Sequence, residues 1–242
     1  MNPAVSFPRL TFVELRKMVD TRAGFWLQLT TAVFTLAIVI LFCVFGETDE
    51  LILRDMFAFS ILPASILLPI IGILLVSSEW SQRTALITFT LVPKRMRVMS
   101  AKIAAGVVLG AIVLVIGLVV SVIAIAIVGG AWTMGPIVFL QICLLLTTSM
   151  LSGVAFGAAF LNSAAAVVLY FALPIAFGAL AAIPIFNDAA GWIDTTQTSE
   201  PLTEGVVSGI EWARFWVSMG VWMILPLAIG LYRIAKGEIR AA

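Results

Sequence analysis

The side chains that could perform chemistry are few in this 242-residue chain, and their spacing does not suit catalysis. The sequence contains no His, which removes the most common general base, zinc ligand and pH switch together. It also lacks a glycine-rich phosphate-binding loop followed by Lys and Ser or Thr. Hydroxyls such as Ser121 and Thr148 have no neighbouring Lys or acid to activate them, and Cys43 and Cys143 lie in apolar stretches as packing residues. We therefore expect no catalytic, cofactor or metal site.

Six apolar stretches separate the charged residues of the chain. Each approaches the roughly 20 residues that a helix needs to cross a bilayer. Their bounds are 24–45, 57–77, 103–128, 136–160, 163–186 and 212–232. A soluble domain that is 62% hydrophobic would expose large aggregating patches. The pattern predicts an all-α integral membrane protein with six transmembrane helices in one domain over 1–242, and the first stretch is too long for a cleaved signal peptide.

The charges are segregated between the two sides of the predicted membrane. Of the 14 Lys and Arg residues, 12 lie before the first span, between the second and third spans, or after the sixth. Of the 13 Asp and Glu residues, 9 lie in the other gaps. Basic flanks stay in the cytoplasm. We therefore expect a multi-pass protein of the cell membrane with both termini cytoplasmic. The net charge of +1 gives no indication of nucleic-acid binding.

The predicted spans themselves hold almost no ionisable residue. The first five contain no Asp, Glu, Lys or Arg, and the sixth contains only Arg214, three residues after Glu211. Ion-driven carriers hold their coupling ion with such groups near the bilayer midplane. If the protein moves a solute, its energy is therefore expected from elsewhere, although a sodium site made of backbone carbonyls stays open.

The N-terminal segment 1–23 predicts an amphipathic helix. Thr11 and Glu14 have the spacing of a capping box, and Leu10 and Leu15 have the spacing of a hydrophobic staple. Both patterns place the start of the helix at Thr11. One face holds Phe12, Leu15, Val19 and Ala23, and the opposite face holds Glu14, Lys17 and Thr21. Such a helix either lies along the inner membrane surface or serves only as a charged topology anchor.

The segment 78–102 is the most distinctive part of the chain. It predicts a short helix from Thr84 to Leu91, which Pro93 ends because its ring disfavours helical geometry at Val92. The helix is too apolar to stand free in water. It therefore either docks another protein or lies half sunk in the headgroups.

These residues resemble the ABC-2 type permease family of ATP-binding cassette transporters. The likeness rests on the order of residue types along the segment. An acid, Glu79, ends the second span, and Thr84 follows five residues later. After an apolar stretch come Pro93 and the basic Arg95, and Ala101-Lys102 opens the third span. Segment 1–23, with Glu14, Arg16 and Lys17, resembles the family's elbow helix. A long outer segment at 187–211 extends the likeness over nearly the whole chain. Arg83 departs from the family, in which a Gly before the Thr is common.

The resemblance implies a permease without an ATPase of its own. Such a permease docks onto a separate nucleotide-binding subunit, which holds ATP and Mg, and pairs with a second copy or a homologous permease. Segment 78–102 would then be the coupling segment. Its ATPase-coupling interface would comprise Glu79, Arg83, Thr84, Leu86, Ile87, Phe89, Leu91, Pro93 and Arg95. The elbow helix would comprise Thr11, Phe12, Glu14, Leu15, Arg16 and Lys17.

Cargo and alternatives follow from the same features. Spans without fixed charge favour a hydrophobic or amphiphilic cargo, such as a drug, antibiotic or lipid, moved outward. The same cytoplasmic helix would also suit a non-transporting membrane scaffold, sensor or immunity protein. A membrane component for vitamin uptake is a third reading.

Two further features concern packing. Segment 187–211 is expected either as short helices dipping into the outer leaflet or as a solvated loop anchored by Trp192 and Trp212. Ser149, Gly153 and Gly157 form a small-residue stripe, which predicts close approach of a second helix.

Overall fold

The computed structural model describes residues 6–46, 51–180, 183, 185 and 187–236, and every regular element in that part of the chain is helical. The helices are α1 Phe7–Asp20, α2 Arg22–Phe45, α3 Leu53–Ser81, α4 Ala85–Leu91, α5 Arg95–Val128, α6 Pro136–Phe160, α7 Ser163–Leu180, α8 Asn187–Ile193, α9 Thr195–Ser199, α10 Pro201–Glu204, α11 Ile210–Met219 and α12 Leu225–Lys236. A π-helical stretch, Gly220–Ile224, joins α11 to α12. The predicted all-α class is confirmed.

Five helices are long and apolar enough to cross a membrane: α2, α3, α5, α6 and the continuous α11–α12. The predicted span 163–186 corresponds to the shorter α7; residues 181, 182, 184 and 186 lie outside the described part. By length and composition the chain is a multi-pass membrane protein. Helix α5 begins eight residues before the predicted span 103–128, because its basic first turns continue the helix beyond the apolar stretch.

The pair α3 and α6 forms the centre of the bundle, with α2 and α5 packed on α3 and α12 on α6. A Cβ atom at Gly153 would lie 2.1 Å from the Pro69 carbonyl oxygen, and one at Gly157 would lie 2.7 Å from that of Ile73. Only glycine permits this approach of the two backbones. The predicted close packing at the small-residue stripe is confirmed.

The third member of the stripe makes a polar contact between the same helices. Because Pro69 has no N–H, the carbonyl of Ser65, one turn earlier, lacks its usual helical donor. The Ser149 hydroxyl donates to that carbonyl oxygen at 2.8 Å. The hydrogen bond that Pro69 cannot donate within α3 is therefore replaced by one from Ser149 of α6.

The charges of the chain lie at opposite ends of the bundle. We call the end formed by residues 6–22, 78–102 and 233–236 the basic end, and the end formed by 51–56, 129–135 and 187–211 the acidic end. At the acidic end the Gln141 amide donates to the carbonyls of Leu202 (3.1 Å) and Gly205 (2.6 Å) and accepts from the Val207 N–H (3.1 Å). Segment 187–211 thus contains short helices held against α6, and not a plain solvated loop.

The N-terminal helix begins earlier than predicted. Helix α1 starts at Phe7, with Ser6 as its N-cap and Pro8 in its first turn. The expected start at Thr11 is therefore wrong: its hydroxyl bonds back to the Phe7 carbonyl inside the helix, and Glu14 points into the protein instead of capping it. The predicted faces are borne out only in part: Phe12 is exposed and Glu14 buried, but Leu10 and Met18 are buried beside Glu14, and Thr21 is exposed.

We predict that Gly153→Ala lowers the stability of the purified protein, whereas Gly110→Ala does not. Crowding a methyl group against the α3 backbone should lower the free energy of unfolding by roughly 1–3 kcal/mol or more. Gly110 lies in α5, and a Cβ atom there would meet nothing within 4 Å. Thermal unfolding in mild detergent measures both variants, and equal melting temperatures would contradict the packing described.

Candidate functional site

Four charged side chains from three helices meet at the basic end. The Lys102 amine on α5 donates to Glu14 Oε2 (2.7 Å), Glu79 Oε1 (3.0 Å) and the Leu75 carbonyl oxygen (2.9 Å). The Lys17 amine on α1 donates to Glu14 Oε1 (2.7 Å) and Glu79 Oε1 (2.8 Å). Glu14, Lys17, Glu79 and Lys102 are hereafter the charge cluster.

The charge cluster is buried and electrically balanced. Glu14, Lys102 and Glu79 are 1%, 2% and 8% exposed, and three acceptors satisfy all three N–H protons of Lys102. Burial by itself lowers the pKa of the Lys17 amine, but the Glu14 and Glu79 carboxylates outweigh it and raise that pKa above its ordinary value. Lys17 therefore stays cationic at neutral pH. Removing one partner of a buried ion pair costs roughly 3–5 kcal/mol, because it leaves an uncompensated charge.

The helices bring these side chains together by their register. Glu14 and Lys17 lie three residues apart on the inward face of α1, Glu79 lies in the last turn of α3, and Lys102 lies two turns into α5. The cluster therefore fastens α1 to both other helices. It also leaves the apolar side of α1, with Phe12 and Val19, facing outward.

The short helix α4 begins directly beside the charge cluster. The Thr84 N–H donates to the Glu79 carbonyl oxygen at 2.8 Å, so the backbone of a cluster residue fixes the start of α4. Helix α4 spans Ala85–Leu91 and ends before Pro93, as predicted. Its inner side buries Ala85 and Phe89, and the Phe89 ring centroid lies 6.2 Å from that of Trp80.

The outer side of α4 is apolar and exposed. Leu86, Ile87 and Leu91 are 42%, 60% and 76% exposed, and the exposed residues Arg83 and Lys94 flank them. We call Leu86, Ile87 and Leu91 the α4 face. Exposed apolar residues grouped within charged flanks are typical of a surface that contacts another protein or the membrane.

The structure divides the predicted coupling interface into a surface and its support. Leu86, Ile87, Leu91, Arg83 and Pro93 are exposed. Glu79 and Phe89 are buried within the chain and hold α4 in place from below.

The remaining predicted residues are also divided. Thr84 and Arg95 are half-buried, and the Arg95 guanidinium donates to the Ile234 carbonyl oxygen at 2.9 Å. On α1, Phe12 and Arg16 are exposed, Arg16 pairs with Asp20, and Thr11 and Leu15 are half-buried.

Lys102 is the functional candidate whose role the sequence interpretation missed. The sequence assigns Lys102 only to the opening of the third span, whereas in the structure this residue is the centre of the charge cluster. A usable signal was present: a lone Lys between Ala101 and Ile103 must find a carboxylate when the helix is buried. The identity of that carboxylate depends on the packing of α1 and α3, which local sequence does not encode.

Arg83 adopts a backbone conformation that favours glycine. Its φ angle is +59°, in the left-handed region that costs an ordinary residue roughly 1–2 kcal/mol. This is the position at which the chain departs from the ABC-2 pattern by lacking Gly. The chain keeps an exposed, charged side chain there despite that cost.

We predict that Arg83→Gly raises the free energy of unfolding by about 1 kcal/mol, because glycine removes the left-handed penalty. The matched control is Gln82→Gly, since Gln82 has a φ of −94° that any residue adopts. The control should lose stability through its more flexible unfolded chain. Thermal unfolding in detergent measures both, and a destabilised Arg83→Gly variant would contradict the assignment.

Comparison with known proteins gives no further identification: no protein-family model matches the chain, and no curated protein matches it. Membership of the ABC-2 permease family therefore stays a prediction from the spacing of Glu79, Thr84, Pro93 and Arg95.

Proposed function

We propose that this chain is the membrane-spanning permease subunit of an ABC exporter. It would draw energy from ATP hydrolysed by a separate nucleotide-binding subunit docked on the α4 face. The observation that carries the proposal is the α4 face itself: three exposed apolar side chains on a short helix at the basic end. Apolar anchors inside a polar rim are the usual composition of a docking patch.

The connection between α4 and the bundle supports a coupling role. The start of α4 is hydrogen-bonded to the Glu79 backbone, and the Glu79 side chain lies in the charge cluster with α1 and α5. Because the amine of Lys102 has all three donors satisfied, the cluster links the three helices as one rigid unit. In the proposed cycle, closure of the ATPase subunits pushes α4 and α1 together, and α3 and α5 tilt with them.

The orientation of α1 supports the elbow-helix assignment. Glu14 and Lys17 face the protein, and Phe12 and Val19 face outward, as suits a helix lying in the membrane interface. With the basic end in the cytoplasm, both termini are cytoplasmic and the protein is a multi-pass protein of the cell membrane. Helix α7 would complete the six spans.

The proposal includes a second permease, identical or homologous, because six spans enclose little space by themselves. The translocation path would lie between the two permeases. Uncharged spans favour a hydrophobic or amphiphilic cargo such as a drug, antibiotic or lipid. The α4 face would serve a non-transporting scaffold, sensor or immunity protein equally well, so the identity of the docked partner decides between these functions.

We predict that Ile87→Glu removes the ATPase partner from the tagged protein purified in mild detergent from its native membrane. A carboxylate in an apolar contact is desolvated without compensation, so recovery of the partner should fall at least about tenfold. The matched control is Val206→Glu, since Val206 is 62% exposed at the acidic end. Mass spectrometry identifies the partner, and thermal unfolding checks that both variants fold.

Three outcomes are distinguished. An ATPase that is lost in Ile87→Glu and kept in Val206→Glu supports the exporter. A different partner with the same sensitivity supports the scaffold function. If no partner depends on Ile87, the docking role of α4 is overturned.

A further inference from the structure

A cavity of about 400 Å³ lies between helices of the bundle and shares no residue with the charge cluster. Helices α3, α6 and α7 line it, together with α9 toward the acidic end and the π-helical stretch. It is partly open at the surface, where the lining residues Ile66 and Ile175 are 47% and 71% exposed. This volume lies within the roughly 300–1,000 Å³ of small-molecule sites. We call it the bundle cavity.

Rigid aromatic rings form one wall of the bundle cavity. The rings of Phe156 and Tyr170 meet edge to face, with centroids 5.3 Å apart. Trp222 is 6% exposed, and its indole N–H donates to the Ile193 carbonyl oxygen at 2.7 Å. These contacts fix the rings in place, so they offer a preformed apolar surface to a ligand.

Hydroxyl groups of α6 also line the cavity. The Ser149 hydroxyl donates its single proton to the Ser65 carbonyl, which Pro69 leaves without a helical donor. The Thr148 hydroxyl donates to the Leu144 carbonyl at 2.9 Å and keeps its oxygen lone pairs as acceptors.

The α9 side of the bundle cavity is polar but uncharged. Thr195, Thr196 and Ser199 on α9 line it, and their side-chain hydroxyls make no hydrogen bond within the described part of the chain. None of the described residues that line the cavity is Asp, Glu, Lys or Arg. A charged ligand would lose its hydration there without gaining a counter-charge.

We propose that the bundle cavity is a binding site for an uncharged small molecule that combines an aromatic or apolar body with one or two hydrogen-bonding groups. The body packs on Phe156, Tyr170 and Trp222, and the polar groups meet Thr148 and the hydroxyls of α9. The site lies within one chain. It needs neither a second permease nor an ATPase, so its test is separate from that of the α4 face.

The test uses photolabelling of the full chain in phosphatidylcholine nanodiscs. The probe is the trifluoromethyl-diazirine derivative of benzyl alcohol, which is uncharged and carries an aromatic ring and one hydroxyl. We expect saturable labelling of the peptides that contain Thr148 and Tyr170. Para-trifluoromethyl benzyl alcohol should compete, whereas the corresponding benzylammonium should not.

Two variants that differ by one position sharpen the test. Thr148→Val removes a cavity hydroxyl with little change in shape, and loss of one hydrogen bond should raise the half-saturating probe concentration about fivefold. Thr147→Val is the matched control, because Thr147 bonds its own helix in the same way but does not line the cavity. Thermal unfolding should show similar stability for both.

Three results would overturn the proposal. One is labelling that does not saturate, as expected if lipid fills the cavity. Another is equal competition by the benzylammonium, and the third is an equal effect of Thr147→Val and Thr148→Val.

Discussion

The buried charge cluster is the constraint on which the basic end of the molecule depends. Helix α1 turns Glu14 inward, so this carboxylate leaves water and needs a cation. Lys102 supplies that cation only if α5 lies against α1, and Glu79 balances the second amine only if α3 ends at the same level. The balance of two acids and two bases therefore fixes three helices relative to one another.

Two surfaces follow from this constraint. Because Glu14 and Lys17 face inward, Phe12 and Val19 on the other side of α1 face outward, as suits a membrane interface. Because Glu79 is held, the turn that starts from its carbonyl places α4 with Leu86, Ile87 and Leu91 exposed. On α3, Pro69 packs closely against Gly153 of α6. Pro69 also leaves the Ser65 carbonyl without a helical donor, and the Ser149 hydroxyl donates to that carbonyl beside the bundle cavity. Helix α3 thus connects the α4 face to the bundle cavity.

The sequence predicts the features that depend on local composition. It does not predict the features that depend on contacts between residues far apart in the chain. Apolar length identifies the long helices, Pro93 ends α4, and small residues at four-residue spacing predict the close approach of a second helix to α6, which the structure shows to be α3. The start of α1 is wrong because Pro8 outweighs the capping spacing of Thr11. The partners of Lys102 and the burial of Glu79 and Phe89 depend on packing between segments far apart in the chain, which no local pattern encodes.

Hydrogen–deuterium exchange of Lys102→Met in nanodiscs tests the organising role of the charge cluster most directly, with Lys94→Met as control, since Lys94 is exposed. Without the Lys102 amine, Glu14 and Glu79 repel each other in a buried site, so α1 is released and the support of α4 weakens. The account predicts that exchange in α1 and α4 accelerates together at least about tenfold while α6 stays protected. Unchanged exchange in α1 and α4, or uniform acceleration that includes α6, would contradict it.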